Sequence, residues 1–162
     1  HSRPWSRELK GKKVLVITSF PKTITAQYPK RDLIWKDKNI LPEFTLKTIK
    51  LPINAHLQEP KHRDWQEALD DIKQQVKDID FDIALIGAGA WSLPLCAHIK
   101  SLGRSAIHTG GATQILFGVQ GGRWEQHPVI SKYYNPSWCR VLPEELPDSE
   151  QETTVPKADK YW

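Results

Sequence analysis

Two short apolar runs, residues 13–18 (KVLVIT) and residues 81–86 (FDIALI), do most to limit what this chain can fold into. Both are too continuous for a strand with one wet face, so they read as strands buried on both sides, as in a parallel sheet covered by helices. Residues 13–18 lie between Gly11 and Pro21, and residues 81–86 run into Gly87-Ala88-Gly89-Ala90. Residues 44–51 alternate Phe, Leu and Ile with Thr and Lys, which suits a strand near a sheet edge. Residues 105–108 form a short fourth strand that ends at Thr109-Gly110-Gly111.

Helical spacing fills the intervals. Residues 23–38 carry Ile24, Leu33, Ile34 and Trp35, with Pro29 expected to kink the helix or mark its first turn. After a loop through Pro52 and Pro60, Asp64 and Glu67 make a capping-box-like start. Trp65, Leu69, Ile72, Val76 and Ile79 then recur at spacings of four and three. A third helix runs from about Leu93 to Gly103 with Pro94 near its start, and a short one occupies residues 112–117. Beyond Gly118 regular structure is expected to fade. Strands alternating with helices imply right-handed βαβ units. The fold predicted for residues 1–142 is therefore α/β, a three-layer Rossmann-like sandwich with a mainly parallel sheet of about four strands and residues 13–18 at its centre. Residues 143–162 hold six acidic and two basic residues and are expected to form an acidic extended or disordered tail.

Composition narrows the class. With 162 residues, 39% hydrophobic and 26% charged, the chain can bury one core. No apolar stretch approaches the roughly 18 residues of a membrane span, and no signal peptide opens the chain. Two cysteines, Cys96 and Cys139, outside any CxxC pair, point to neither a disulfide framework nor zinc, so a reducing, cytoplasmic setting is expected. The absence of methionine suggests that His1 is a processed or cut end of something longer. Residues 1–63 carry 14 Lys and Arg against 5 Asp and Glu, residues 64–162 only 9 against 14. No dense basic run or nucleic-acid motif accompanies that asymmetry, and a small anionic ligand accounts for it as well.

In an open parallel sheet, ligands bind outside the carboxyl ends of the strands, where strand order reverses. Three loops should converge there. The first offers Ser19, Lys22 and Thr23; the second Gly87, Gly89 and Trp91; the third His108, Thr109, Gly110, Gly111 and Gln114. Glycines at such turns allow backbone amides to approach an anion, phosphate above all. The competing reading is that they only permit tight turns. The GAGA run is no dinucleotide fingerprint, because it lacks the third glycine and the acidic residue about twenty positions on. His108 is a candidate general base or hydroxyl ligand, or else a structural histidine. Arg123 and Trp124 could clamp a phosphate and stack on a ring, or Trp124 could anchor the C-terminal segment. Asp78, Asp80 and Asp82 form overlapping DxD patterns but belong to the opposite sheet edge. No metal site is expected in the chain.

The segment 83–124, IALIGAGAWSLPLCAHIKSLGRSAIHTGGATQILFGVQGGRW, resembles the C-terminal half of GT-D-type glycosyltransferase-like proteins of polysaccharide biosynthesis. The opening GKKVLVITSFPKTI resembles the strand and loop that begin that half. The likeness implies a domain of surface-polysaccharide biosynthesis that binds a nucleotide-sugar or a glycan acceptor. It also implies a divalent metal held by an Asp-x-Glu motif in an N-terminal catalytic half; this sequence has no Asp-Gly-Glu and no substitute in that context. The chain itself is thus expected to hold no cofactor and to be inactive alone. The alternative is a non-catalytic interaction or support module of a larger protein, with Trp5, Trp35 or the aromatic C-terminal segment at the interface.

Overall fold

The computed structural model describes residues 3–52 and 62–146. Four parallel strands form the main sheet in the order β2-β1-β3-β4: β1 (Lys13–Thr18), β2 (Thr45–Lys50), β3 (Ile83–Ile86) and β4 (Ser105–His108). Residues 13–18 are central, as their unbroken apolar character requires. Val14 pairs with Leu46 on one side and Ile83 on the other, and Val14 through Thr18 are inaccessible to solvent. The edge strand β2 does not keep the alternation: Leu46, Lys47 and Thr48 are all half-buried, and Leu46 packs on one layer while Ile49 packs on the other.

Each face of the sheet carries its own apolar layer. Leu15, Ile17, Ala84 and Ile86 pack under α3 (Trp65–Asp78) and α4 (Ser92–Ser101), meeting Leu69, Ile72, Val76, Leu95 and Ile99. Val14, Val16 and Leu85 face the other way, toward α1 (Pro21–Gln27) and the C-terminal third of the chain, meeting Ile24, Phe117, Trp138 and Val141. The architecture is a Rossmann-like α/β sandwich with helices on both faces.

Local chemistry explains the element ends. Asp64 caps α3 by accepting from the Glu67 amide at 2.9 Å, as the capping-box spacing predicts. Trp65, placed by periodicity on the buried stripe, is instead 59% exposed in the first turn of that helix. The single helix expected over residues 23–38 is three pieces. The proline ring at Pro29 offers no amide, so a 3-10 turn over Tyr28–Lys30 separates α1 from α2 (Arg31–Ile34), and Trp35 is extended.

Regular structure does not fade at Gly118 as expected. After α5 (Ala112–Leu116), β5 (Val119–Gln120) pairs with β6 (Cys139–Arg140), flanking α6 (Gly122–Glu125), and this segment completes the second helical layer. Side-chain hydrogen bonds to backbone fasten it. The Trp35 indole donates to the Leu116 carbonyl at 2.8 Å, the Trp138 indole and Asn135 amide both donate to the Ile34 carbonyl, and the Gln27 amide bridges the Gly118 and Ser137 carbonyls. Trp35, 8% exposed, is thereby a core residue and not an interface one. The fold also continues past residue 142: Pro143–Glu145 forms a 3-10 turn, and Glu145 is 1% exposed. The loop at Pro60 and residues 147–162 lie outside the described residues. No described helix is long and apolar enough to cross a membrane.

Candidate functional site

Strand order reverses between β1 and β3, so the crevice of an open parallel sheet belongs above Thr18 and Ile86. The turn that follows β1 supplies Ser19, Lys22 and Thr23. The residue before α1 is Phe20, whose side chain cannot cap a helix, so the sequence leaves the first amides of α1 to be satisfied from elsewhere. They are satisfied by Glu145, 122 positions downstream of Thr23. One carboxylate oxygen accepts from the Lys22 amide at 2.6 Å; the other accepts from the Thr23 amide at 2.7 Å and the Thr23 hydroxyl at 2.6 Å. The same hydroxyl accepts from the Leu142 amide at 2.9 Å, a second tie between this turn and the C-terminal segment. The Lys22 side chain stays exposed.

The two glycine turns beside it are largely closed on themselves. The amide of Gly87 donates to the Ile17 carbonyl, that of Ala88 to the Ser92 hydroxyl, and those of Thr109 and Gly110 both to the Ile86 carbonyl. The expectation that these amides face an open hollow is corrected on that point: the carbonyls of Ile17 and Ile86, and for Ala88 the Ser92 hydroxyl, take the bonds. A Cβ on Gly87 would stand 2.6 Å from the Thr113 hydroxyl and 3.0 Å from the Gly110 carbonyl, so this glycine serves the close approach of one turn to the other. Thr113 bonds both Thr109 and the Gly110 carbonyl and is buried with Gln114 beneath the turn. Gly111, half-buried, precedes α5.

Outward of this packed base lies a more open rim. Gly89 and Ala90 are exposed, and Gly89, with φ +54°, has nothing within 4 Å of the point where a methyl would stand. Trp91 is half-buried against the α3–α4 layer. His108 ends β4 beside Ile86 and is exposed, with its Nε2 over Gly110. Thus His108, Thr109, Gly110, Gly89 and Trp91 share the carboxyl edge of β3 and β4, while Ser19, Lys22 and Thr23 share that of β1 with Glu145.

Arg123 and Trp124 belong to α6. The guanidinium of Arg123 lies 5.4 Å from the Trp124 ring centre, and that ring also packs on His127 at 5.8 Å. Beside them Glu125 pairs with Arg140, whose guanidinium burial depresses below its ordinary basicity. Asp80 and Asp82 stand at the opposite, amino-terminal edge, where Asp80 binds the Lys13 ammonium and Asp82 accepts from the Lys13 amide. Hydrogen bonding to Lys13, reinforced by its charge, holds the Asp80 carboxyl below its usual range. No three His, Cys, Asp or Glu residues among those described are grouped to hold a metal ion.

Sequence reasoning missed Glu145. Its flanking Pro143 and acidic neighbours read as tail, and the only available signal was the missing cap ahead of Pro21. Comparison with protein-family models, curated proteins and solved structures finds no match for this chain.

Proposed function

We propose that this chain is a glycosyltransferase-related domain of surface-polysaccharide biosynthesis whose β1–β3–β4 edge binds a nucleotide-sugar or glycan acceptor. The observation that carries the reading is the holding of an acidic group at the strand-order reversal. Two amides and a hydroxyl, from Lys22 and Thr23, bind a buried carboxylate there. Such uncharged donors suit diphosphate oxygens equally. The exposed His108, the exposed Gly89 and the half-buried Trp91 lie along the same edge. The domain would act by positioning and hydrogen bonding, with the metal-binding half on another segment or chain.

Thermal shift and calorimetry with a panel of nucleotides and nucleotide-sugars test this. Stabilisation by at least one at millimolar concentration is expected, weakened by His108→Ala. No heat and no shift with any of them would refute it. A second reading, a non-catalytic support module, draws on the internal use of the Gly87, Thr109 and Gly110 amides. It predicts that Gly89→Ala leaves every binding property of the protein untouched.

A further inference from the structure

The two edges of the main sheet differ in chemistry. β2 carries Lys47 and Lys50, charges that deter another strand from pairing there, whereas β4 reads Ser105-Ala106-Ile107-His108 and has no Lys, Arg, Asp or Glu. β4 pairs with β3 alone. The Thr109 amide bonds the Ile86 carbonyl, so by the two-residue repeat of a strand Ile107 and Ser105 also turn their backbone groups to β3. The amides and carbonyls of Ala106 and His108 therefore point off the sheet, and no described residue bonds them.

Beside this edge, between α4 and β4, runs an open groove of about 390 Å³ lined by Cys96, Ala97, Lys100, Arg104, Ser105 and Ala106. Its helix wall is apolar for an outer helix. Lys100 is the one Lys, Arg, Asp or Glu in α4, and it shares an exposed stripe with Ala97 and with Leu93, which is 73% exposed. The groove is also one-sided in charge. Residues 83–124 contain no Asp or Glu, and Lys100 enters no ion pair among the described residues. Arg104, held by the Ile79 carbonyl at 2.7 Å and lying over the Phe81 ring, fixes a second cation at the groove's end. A second copy pairing through the same edge would meet these cations with its own.

We propose that this edge docks an extended, acidic segment of a partner protein, which adds to the sheet as a fifth strand and sets a Glu or Asp side chain in the groove against the Lys100 ammonium. The backbone groups of Ala106 and His108 supply bonds that any extended segment can take, and the groove with Lys100 supplies the selection. The docking does not depend on the nucleotide-sugar reading of the carboxyl edge.

NMR titration of the isotope-labelled chain tests this with two end-capped heptapeptides, Thr-Val-Thr-Glu-Thr-Val-Thr and its counterpart with Lys at the centre. Their alternation puts both Val side chains and the central charge on one face. The acidic peptide is expected to shift the Ala106 and His108 amides and to bind roughly tenfold more tightly than the basic one. Lys100→Glu, at an exposed position, should reverse that preference. No shift of those amides at millimolar peptide, or equal binding of the two peptides by wild type, overturns the proposal. An acidic peptide N-methylated along its backbone should not bind; if it binds as well as the parent, strand addition is wrong. Sedimentation of the protein alone should show a monomer. A dimer in which the Ala106 and His108 amides are protected from hydrogen exchange assigns the edge to a second copy and overturns the acidic partner.

Discussion

Replacing Gly118 by alanine isolates what fastens the C-terminal third to the sheet. Gly118 has φ +67°, and a methyl there would stand 2.6 Å from Ile34 Cγ2, 3.1 Å from Cγ1 and 3.2 Å from Cδ1. Neither partner can retreat. Ile34 is 1% exposed and its carbonyl accepts from Trp138 and Asn135, while the Gly118 carbonyl accepts from Gln27 and from the Cys139 amide. Left-handed backbone costs an alanine about 1–2 kcal/mol, and forcing a methyl into a packed core about 1–3 kcal/mol. Reduced freedom of the unfolded chain returns about 0.4–1 kcal/mol. The net loss should be about 2–4 kcal/mol, a large part of the stability of a domain this size.

Urea unfolding followed by tryptophan fluorescence and by circular dichroism measures it, with a lower midpoint and unchanged slope expected. A double-mutant cycle separates backbone from steric cost. Ile34→Ala alone leaves a cavity worth about 2–5 kcal/mol, but in combination with Gly118→Ala it removes the atoms the new methyl strikes. The pair should therefore be less destabilised than the sum by about 1–3 kcal/mol, well beyond the ~0.5 kcal/mol within which independent sites add. Strict additivity, or a Gly118→Ala protein as stable as wild type, would refute the packing argument.

Gly87→Ala should cost about 1–3 kcal/mol through its encounter with Thr113 and the Gly110 carbonyl. Gly89→Ala, strained only in backbone and with open space around it, should cost less, near 1 kcal/mol; the order of the two midpoints is the check. Tyr28→Phe removes the hydroxyl that accepts from the Phe44 amide and donates toward the Phe44 and Pro42 carbonyls, so thermal unfolding should show a loss of about 1–3 kcal/mol. Burial raises the Tyr28 phenol above its usual 10.0, so the stability tied to it is present below that pH and declines as pH rises through the folded-state value; burial raises Tyr134 as well, so the lagging tyrosinate absorbance of wild type in alkaline titration should shrink in Tyr28→Phe by one tyrosine's share. Asp80, lowered by its bond to Lys13, contributes stability above its usual 3.8 that is lost as pH falls through its depressed value, and Lys13→Ala should return the carboxyl resonance to the ordinary range in an NMR titration.

What could be read in advance divides by the range of the interaction. The parallel sheet was legible because residues 13–18 and 83–86 have no wet face, and a strand without one can only sit between layers. Asp64 was legible because its partner is three residues away. Trp65 was misplaced because helical period assigns a face but not whether the first turn extends past the sheet that covers it. Trp35, Trp138 and Gln27 fasten carbonyls of Leu116, Ile34 and Gly118, partners some 80 to 105 positions apart, and no local pattern announces such bonds. The glycine turns were found at the right strand ends, but composition cannot tell a glycine that admits a ligand from one that admits another turn. Gly87 faces Thr113, whereas nothing approaches Gly89.

That difference between two glycines of one turn orders the whole edge. The inner residues, Gly87, Thr109, Gly110 and Thr113, spend their polar groups on each other and on the ends of β1 and β3, which makes a stiff base. A stiff base is what positions groups for recognition, because side chains on it lose little further freedom when a ligand arrives. The groups so positioned are His108 and the Gly89–Trp91 turn on one side, and the Lys22 and Thr23 donors on the other. Only the second set already holds an acidic group, and that group comes from the chain's own C-terminal segment. The β1 end of the edge is therefore organised less by the glycines that first draw attention than by Glu145, whose carboxylate holds three donors of the turn, while the Lys22 side chain, Gly89 and His108 stay exposed around it.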